Sequence, residues 1–287
     1  MEEQEIIIKK NNDFELKDIF ECGQCFRWNM NQDNSYTGVI KNGILNVNKL
    51  DENIIFKGFL NDDIKNIVEK YFDLQRDYTN IKLKLANVDE YLKQSIEFGK
   101  GIRILNQDLW ETIISFIISA NNNIPRIKGI IEKLSKKYGK EIIWDNNKYY
   151  LFPTPNELEN VTIENFRKLG LGFRDKRIFE TTHAILENQI DLKSLYSENT
   201  LNIRGKLLNL SGVGPKVADC ILLFSDLKRF DVFPIDVWVR RVMNELYIKN
   251  EDENKASKKE IMDLAYSKFG DLEGIAQQYL FYYRKTM

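Results

Sequence analysis

A single histidine, His183, and three cysteines are all that the 287 residues offer a soft or borderline metal ion. Cys22-Gly23-Gln24-Cys25 has the spacing of half a zinc or redox site, but no second pair exists to complete it. No metal site is expected, and the scarcity of cysteine suits a reducing compartment. An excess of charge of either sign is also lacking. Lys and Arg number 42 against 43 Asp and Glu, a net charge of −1, so the chain has no global basic footprint for nucleic acid. Any such contact must come from local patches and backbone amides. The longest strongly apolar run, Ile113 to Ala120, is far too short to span a bilayer. Met1-Glu2-Glu3 is an acidic start with no apolar core behind it, so no secretory signal is expected. A cytoplasmic protein with no membrane association is the expectation. With 43% apolar and 30% charged residues, the chain is long enough to bury one large core or two to three smaller ones.

The pattern of residues divides the chain near position 85. Residues 1–85 hold the β-prone runs Glu5 to Ile8, Cys25 to Trp28, Tyr36 to Ile40, Ile44 to Val47 and Asn53 to Phe56, with Asn42-Gly43 as a hairpin turn. Asn61 to Tyr71 reads as a helix with Ile64, Ile67, Val68 and Tyr71 on one face. From Asp77 onward the pattern is almost wholly helical. Asp108 opens a buried helix to about Ala120, and Asn121 to Arg126 breaks it and caps the next, striped by Ile127, Ile130, Ile131 and Leu134. Helices then follow over Phe173 to Glu187, Asn199 to Leu210, Val237 to Tyr247, Ser257 to Phe269 and Leu272 to the C-terminus, with a charged surface loop at Lys249 to Lys259. The expected fold is α+β: an antiparallel sheet domain over 1–85, then a helical region over 86–287 in two subdomains with a cleft between them.

Chemistry concentrates in Leu210-Ser211-Gly212-Val213-Gly214-Pro215-Lys216-Val217-Ala218-Asp219-Cys220 and, beyond it, Pro234-Ile235-Asp236-Val237-Trp238. Two glycines spaced by one residue make a tight turn, and Pro215 opens the next helix where its missing N–H costs nothing. The result is a helix-hairpin-helix. The N–H groups of Gly212, Val213 and Gly214, with the helix start behind them, are expected to point outward and suit an anion such as a phosphate. Lys216 sits one residue inside that helix, where the positive end of the dipole should lower its pKa from an ordinary value of about 10.4. The helix carries the chain away by about 16 Å, and the looser stretch Asp226 to Ile235 is long enough to return Asp236 beside Lys216. A nucleophilic amine and a carboxylate would then share one cleft. The plainer alternative is a solvated lysine and an aspartate that only caps its helix.

At these residues the chain resembles the helix-hairpin-helix glycosylases whose hairpin is followed by a Gly/Pro-rich loop and an aspartate. More narrowly, Gly-Val-Gly-Pro-Lys-Val-Ala-Asp-Cys and Pro-Ile-Asp-Val are similar to the core motif of the 8-oxoguanine DNA glycosylase/lyase family. The absence of a C-terminal four-cysteine cluster argues against the iron–sulfur branch of the same superfamily. The resemblance implies that Lys216 attacks the sugar and Asp236 assists, with no cofactor, and it admits a structural monovalent cation on hairpin carbonyls. It also implies that Gly212 and Gly214 approach the DNA backbone.

Three further segments extend the resemblance from Gly23 to Phe281. Gly23-Gln24-Cys25-Phe26-Arg27-Trp28 is similar to the family's Gly-Gln-x-Phe-Arg-Trp, whose glycine carbonyl lines the base pocket. N7 of guanine is an acceptor, whereas in 8-oxoguanine N7 carries a hydrogen, so a carbonyl there accepts from the lesion and repels the normal base. Gln277 and Phe281 share a helix face, and the resemblance makes Phe281 and Cys220 sandwich the base while Gln277 bonds its Watson–Crick edge. Asn121 to Arg126 and Leu169-Gly170-Leu171-Gly172-Phe173-Arg174 are similar to segments whose residues contact the opposite cytosine, implying that role for Asn121, Arg126 and Arg174. Phe173 stands where the family often has tyrosine, keeping a stacking wedge without the hydroxyl. Trp238 stands where many relatives have histidine near the 5′ phosphate, and its indole N–H is a donor. The implied activity is excision of 8-oxoguanine opposite cytosine from duplex DNA, with strand nicking, by a monomer. A related glycosylase for another oxidised base, or a non-catalytic hairpin that binds DNA structure, are the alternatives.

Overall fold

The computed structural model describes residues 1–9, 13–252 and 256–285. Four of the five early β-prone runs form strands and the other does so only at its last residue: β1 Glu2–Lys9, β2 Trp28–Met30, β3 Tyr36–Ile40, β4 Gly43–Leu50 and β5 Asn53–Leu60. They build one antiparallel sheet in the order β1-β5-β4-β3-β2. Alternation explains the register: Ile54, Phe56 and Leu60 point into the core while Lys57 between them faces solvent. Two boundaries differ from the reading of the sequence. Cys25 to Arg27 remain irregular and β2 begins at Trp28, whose indole lies over Gly38; a Cβ there would meet it at 2.3 Å. Ile40 pairs with Gly43, so Lys41 and Asn42 form the turn rather than Asn42 and Gly43.

The first helix, α1 (Leu16–Glu21), covers the sheet together with α2 (Ile64–Tyr71), and Phe20 stacks on Trp28 with centroids 4.2 Å apart. Trp28 Nε1 donates to the Tyr71 hydroxyl at 2.9 Å, which supplies a buried indole with its partner. Next come α3 (Tyr78–Ala86) and α4 (Glu90–Phe98). After them α5 (Leu109–Ser119) is buried on nearly every side, and Asp108 caps it by accepting from the Glu111 N–H at 3.0 Å. Asn123 likewise caps α6 (Ile124–Tyr138), whose stripe of Ile127, Ile130, Ile131 and Leu134 is buried as the spacing predicts.

An unexpected hairpin interrupts the helices. β6 (Glu141–Trp144) pairs with β7 (Asn147–Tyr150) around Asp145 and Asn146, both at positive φ. The expectation of an almost wholly helical chain beyond Asp77 is corrected here. Strands of four residues are too short to show a period, although an Asp-Asn turn between aromatic and β-branched residues is a hairpin signal.

The remaining helices are α7 (Ile163–Lys168), α8 (Asp175–Leu186), α9 (Thr200–Leu207), α10 (Pro215–Phe224), α11 (Val237–Met243), α12 (Lys258–Phe269) and α13 (Glu273–Lys285). A π-turn over Asn244–Ile248 continues α11. The charged stretch at 249–259 and the last two residues of the expected C-terminal helix lie partly or wholly outside the described residues. The large core joins α5 to α10 and α13 through side chains such as Ile113, Ile117, Ile221, Leu222 and Tyr279. No helix is long and apolar enough to cross a membrane among the described residues.

Candidate active site

Between α9 and α10 the chain makes the expected hairpin. Gly212 has φ +85°, a conformation that side chains disfavour, and a Cβ there would press on Arg177 Cδ at 2.9 Å and Ile117 at 3.2 Å. Gly214 caps α10 and its Cβ position meets nothing within 4 Å, so this face of the turn is open. One expectation fails. The Val213 N–H does not point outward but donates to the Leu210 carbonyl at 3.1 Å, closing the turn. That leaves the amides of Gly212 and Gly214 and the N-terminal end of α10 as the groups able to meet an anion.

Pro215 opens α10, and Lys216 behind it has Nζ 5.5 Å from the centre of the Phe116 ring. Cys220 stands one turn on from Lys216, and the carboxylate of Asp236 acts electrostatically on the amine. Asp236 caps α11, accepting from the Val239 N–H at 2.8 Å, which fixes its orientation. Burial pushes the Lys216 ammonium toward losing its proton, but the neighbouring Cys220 and the Asp236 carboxylate outweigh burial, and the pKa moves up. The expectation of a lowered pKa is corrected here. A helix dipole acts through partial charges, whereas Asp236 carries a full one. Burial also pushes the Cys220 thiol up to about 11, even though Lys216 pulls the other way.

The base-pocket residues lie on two strips that meet. Gly23 follows α1 at φ +90°, and its Cβ position is 3.4 Å from Cε1 of Phe281 on α13. Both neighbours of Gly23 are pinned. The Gln24 side chain donates to the Ile19 and Arg103 carbonyls, each at 2.8 Å, and accepts from the Leu105 N–H at 2.8 Å. Gln278 of α13 donates to the Cys22 carbonyl at 2.6 Å. Among the described residues no donor occupies the Gly23 carbonyl itself. Gln277 is 5% exposed, and its Oε1 is buried without a hydrogen-bond partner. Such an acceptor costs stability unless a ligand satisfies it. Gly23→Ala is expected to cost about 1–2 kcal/mol because the left-handed backbone disfavours a Cβ. Thermal melting checks this, and an unchanged midpoint would mean that the turn relaxes freely.

The residues expected to face the opposite base and the DNA backbone lie elsewhere on the surface and beneath it. Asn121 is exposed at φ +52°, and Arg126 is exposed and donates to the Gly170 carbonyl at 3.3 Å. Arg174 is only 2% exposed. Its guanidinium donates to the carbonyls of Ala120 (3.0 Å), Asn121 (2.8 Å) and Leu171 (3.3 Å), so in the free protein it holds the Asn121 turn rather than reaching outward. Burial, then the charges of Arg126 and Arg177, lower its pKa. Phe173 is 54% exposed, with Arg174 Cζ 4.2 Å and Arg177 Cζ 4.9 Å from its ring centre. Trp238 is 59% exposed beside Arg241, whose Cζ lies 5.4 Å from the indole. Phe116 and Arg177 are site neighbours that motif reading missed, although Arg177 stands four residues from Phe173, the spacing at which helical neighbours meet. Cys22 and Cys25 are buried thiols that bond the carbonyls of Ile19 and Phe20, and among the described residues no group of three or more metal-binding side chains forms.

An antiparallel sheet, a helical body, a helix-hairpin-helix and a lysine–aspartate pair at its mouth define a base-excision DNA repair glycosylase of the hairpin–Gly/Pro–Asp class. Residues 114–267 match the profile of the HhH-GPD superfamily of base excision DNA repair proteins, and residues 6–113 match the 8-oxoguanine DNA glycosylase N-terminal domain. The chain belongs to the 8-oxoguanine DNA glycosylase family. It is 32% identical over 269 residues to the N-glycosylase/DNA lyase of Saccharomyces cerevisiae, covering 83% of this chain and 70% of that one. It is 29% identical to the N-glycosylase/DNA lyase of Arabidopsis thaliana over 91% of this chain and 75% of that one. A solved 8-oxoguanine glycosylase/lyase of Clostridium acetobutylicum, in complex with DNA containing cytosine opposite 8-oxoguanine, is 42% identical, with a TM-score of 0.92 over 99% of this chain and 97% of that one.

Proposed function

We propose that the protein removes 8-oxoguanine from duplex DNA and then cleaves the strand, acting through a lysine Schiff base and preferring cytosine opposite the lesion. The observation that carries this reading is the half-buried Lys216 amine one residue inside the second hairpin helix, under the pull of the Asp236 carboxylate. Extrusion of the damaged nucleotide costs a few kcal/mol. The hairpin amides on a phosphate, the Phe173 wedge and polar contacts from Asn121 and Arg126 to the orphaned cytosine offset that cost. The extruded base would lie between Cys220 and Phe281, its N7–H donating to the Gly23 carbonyl and its Watson–Crick edge donating to Gln277 Oε1. Two vacant acceptors are thereby satisfied, and guanine, with no hydrogen on N7, satisfies only one of them.

In the chemical step the Lys216 amine, once neutral, attacks C1′. The C1′–N9 bond breaks with its electron pair leaving on the base, and Asp236 stabilises the positive charge that develops on the sugar. Loss of a proton from nitrogen and opening of the ring give a Schiff base to C1′. This acidifies the C2′ proton, whose removal expels the 3′ phosphate and nicks the strand. The chemistry needs no cofactor. The Clostridium relative was solved with cytosine opposite 8-oxoguanine, which supports the same preference here.

Mixing the protein with an 8-oxoguanine·cytosine duplex and borohydride should give a covalent protein–DNA band that an undamaged duplex does not give. Released base without a band would overturn the lysine chemistry, and neither product would overturn the choice of lesion. Gln277→Met tests the pocket separately. Removing a buried acceptor that lacks a partner should leave stability equal or raised by about 1 kcal/mol, while excision of 8-oxoguanine falls about tenfold or more for the lost hydrogen bond. A variant both less stable and fully active would contradict the assignment.

A further inference from the structure

Helix α8 touches two parts of the site at once. At its start stands Phe173, and one turn in, Arg177 lays its stem over Gly212, the Cβ position of which is 2.9 Å from Arg177 Cδ and 3.1 Å from Arg177 Cβ. The far end of the same side chain lies 4.9 Å from the Phe173 ring centre. A turn further along, the Thr181 hydroxyl donates to the Ser211 carbonyl at 2.9 Å, and Glu180 accepts from the Ser211 hydroxyl at 2.6 Å. The hairpin turn is thus clamped to α8 at Ser211 and Gly212. Phe173 is held from its other neighbour as well, by an Arg174 guanidinium that three carbonyls immobilise.

We propose that Arg177 is a positioning residue that couples the hairpin to the Phe173 wedge, so that the seat of the DNA phosphate on Gly212 and Gly214 sets where the ring enters the duplex. The proposal builds on the wedge role given to Phe173 above. An exposed phenylalanine with no neighbours samples several rotamers, and fixing one of them before binding removes an entropic cost of insertion. A guanidinium suits the task because it is flat, weakly hydrated and stacks on aromatic faces, whereas an ammonium does not. Its stem meanwhile fills the space that only a glycine at 212 leaves open.

The test is a double-mutant cycle between Arg177→Met and Phe173→Ala on the full chain, read by kcat and KM on the lesion duplex and by the fluorescence of a 2-aminopurine beside the lesion. Methionine keeps an unbranched stem over Gly212 and loses the stacking plane. Arg177→Met is expected to lower kcat/KM about tenfold and to weaken the fluorescence rise, with the double variant no worse than Phe173→Ala alone. Arg177→Lys, which keeps stem and charge, should recover little. Should Arg177→Met fail to fold, Arg177→Lys takes its place in the cycle. Additive losses, or a drop of about one in the slope of log affinity against log salt, would make Arg177 a phosphate contact and overturn the proposal. If Phe173→Ala is itself fully active, the wedge reading falls and the coupling falls with it; additive losses beside an impaired Phe173→Ala refute the coupling alone.

Discussion

Lys216→Gln is expected to abolish the borohydride-trapped band and to slow strand cleavage by about ten-thousandfold or more, the scale seen when a covalent nucleophile is removed. Glutamine keeps much of the stem beside Phe116 and a polar end beside Cys220, so the lesion duplex should still bind. Retained trapping would remove Lys216 from the mechanism. A linked expectation concerns pH. The ammonium is favoured because Cys220 and Asp236 outweigh burial, so the single-turnover rate should climb with pH through the neutral range as the free amine becomes more abundant. A flat profile from pH 6 to 9 would instead couple loss of the proton to binding of the base. Stability carries the matching sign. A lysine whose pKa is raised by folding favours the fold below its ordinary value of 10.5, and that contribution fades as the pH climbs through the raised one. The melting difference between wild type and Lys216→Gln should accordingly shrink above pH 10.5.

Asp236 has two duties, and two substitutions separate them. Its carboxylate faces Lys216, and the same side chain caps α11 through the Val239 N–H. Asparagine keeps the cap and loses the charge; alanine loses both. Asp236→Asn is expected to cost about a hundredfold or more in the single-turnover rate, with a melting temperature lowered only by the lost attraction to the Lys216 ammonium. Asp236→Ala should add about 1 kcal/mol of instability to the same rate loss. Asparagine at 236 also removes a charge that raises the Lys216 pKa, so the rising limb of the rate profile should move to lower pH. A slow Asp236→Asn variant whose limb stays in place would show that the carboxylate acts only on the sugar.

How far these features could be read from the chain depends on whether they are local. The hairpin was legible because Gly212, Gly214 and Pro215 are backbone requirements written in adjacent letters. Four of the five strands were legible as short β-prone runs, and the cap and stripe of α6 were legible because they repeat within a turn. What escaped depends on partners distant in sequence. Nothing adjacent to Arg174 signals that its guanidinium is taken by carbonyls more than fifty residues earlier. The sequence placed Asp236 beside Lys216 but did not show that the neighbours of the amine outweigh the helix dipole and burial in setting the sign of the Lys216 shift. The unpaired oxygen of Gln277 is a property of its surroundings, and no letter carries it. β6 and β7 escaped for a different reason, being too short for any periodicity to emerge.

The three thiols have a bearing on survival. Burial raises all of their pKa values, that of Cys22 to about 12 and that of Cys220 to about 11, and Cys25 moves the same way. Peroxide attacks thiolates, and at neutral pH these side chains hold almost none. A repair enzyme called upon when oxidants have damaged guanine works amid those same oxidants. By keeping the sulfur one turn from Lys216 protonated and buried, the fold leaves peroxide little thiolate to attack there.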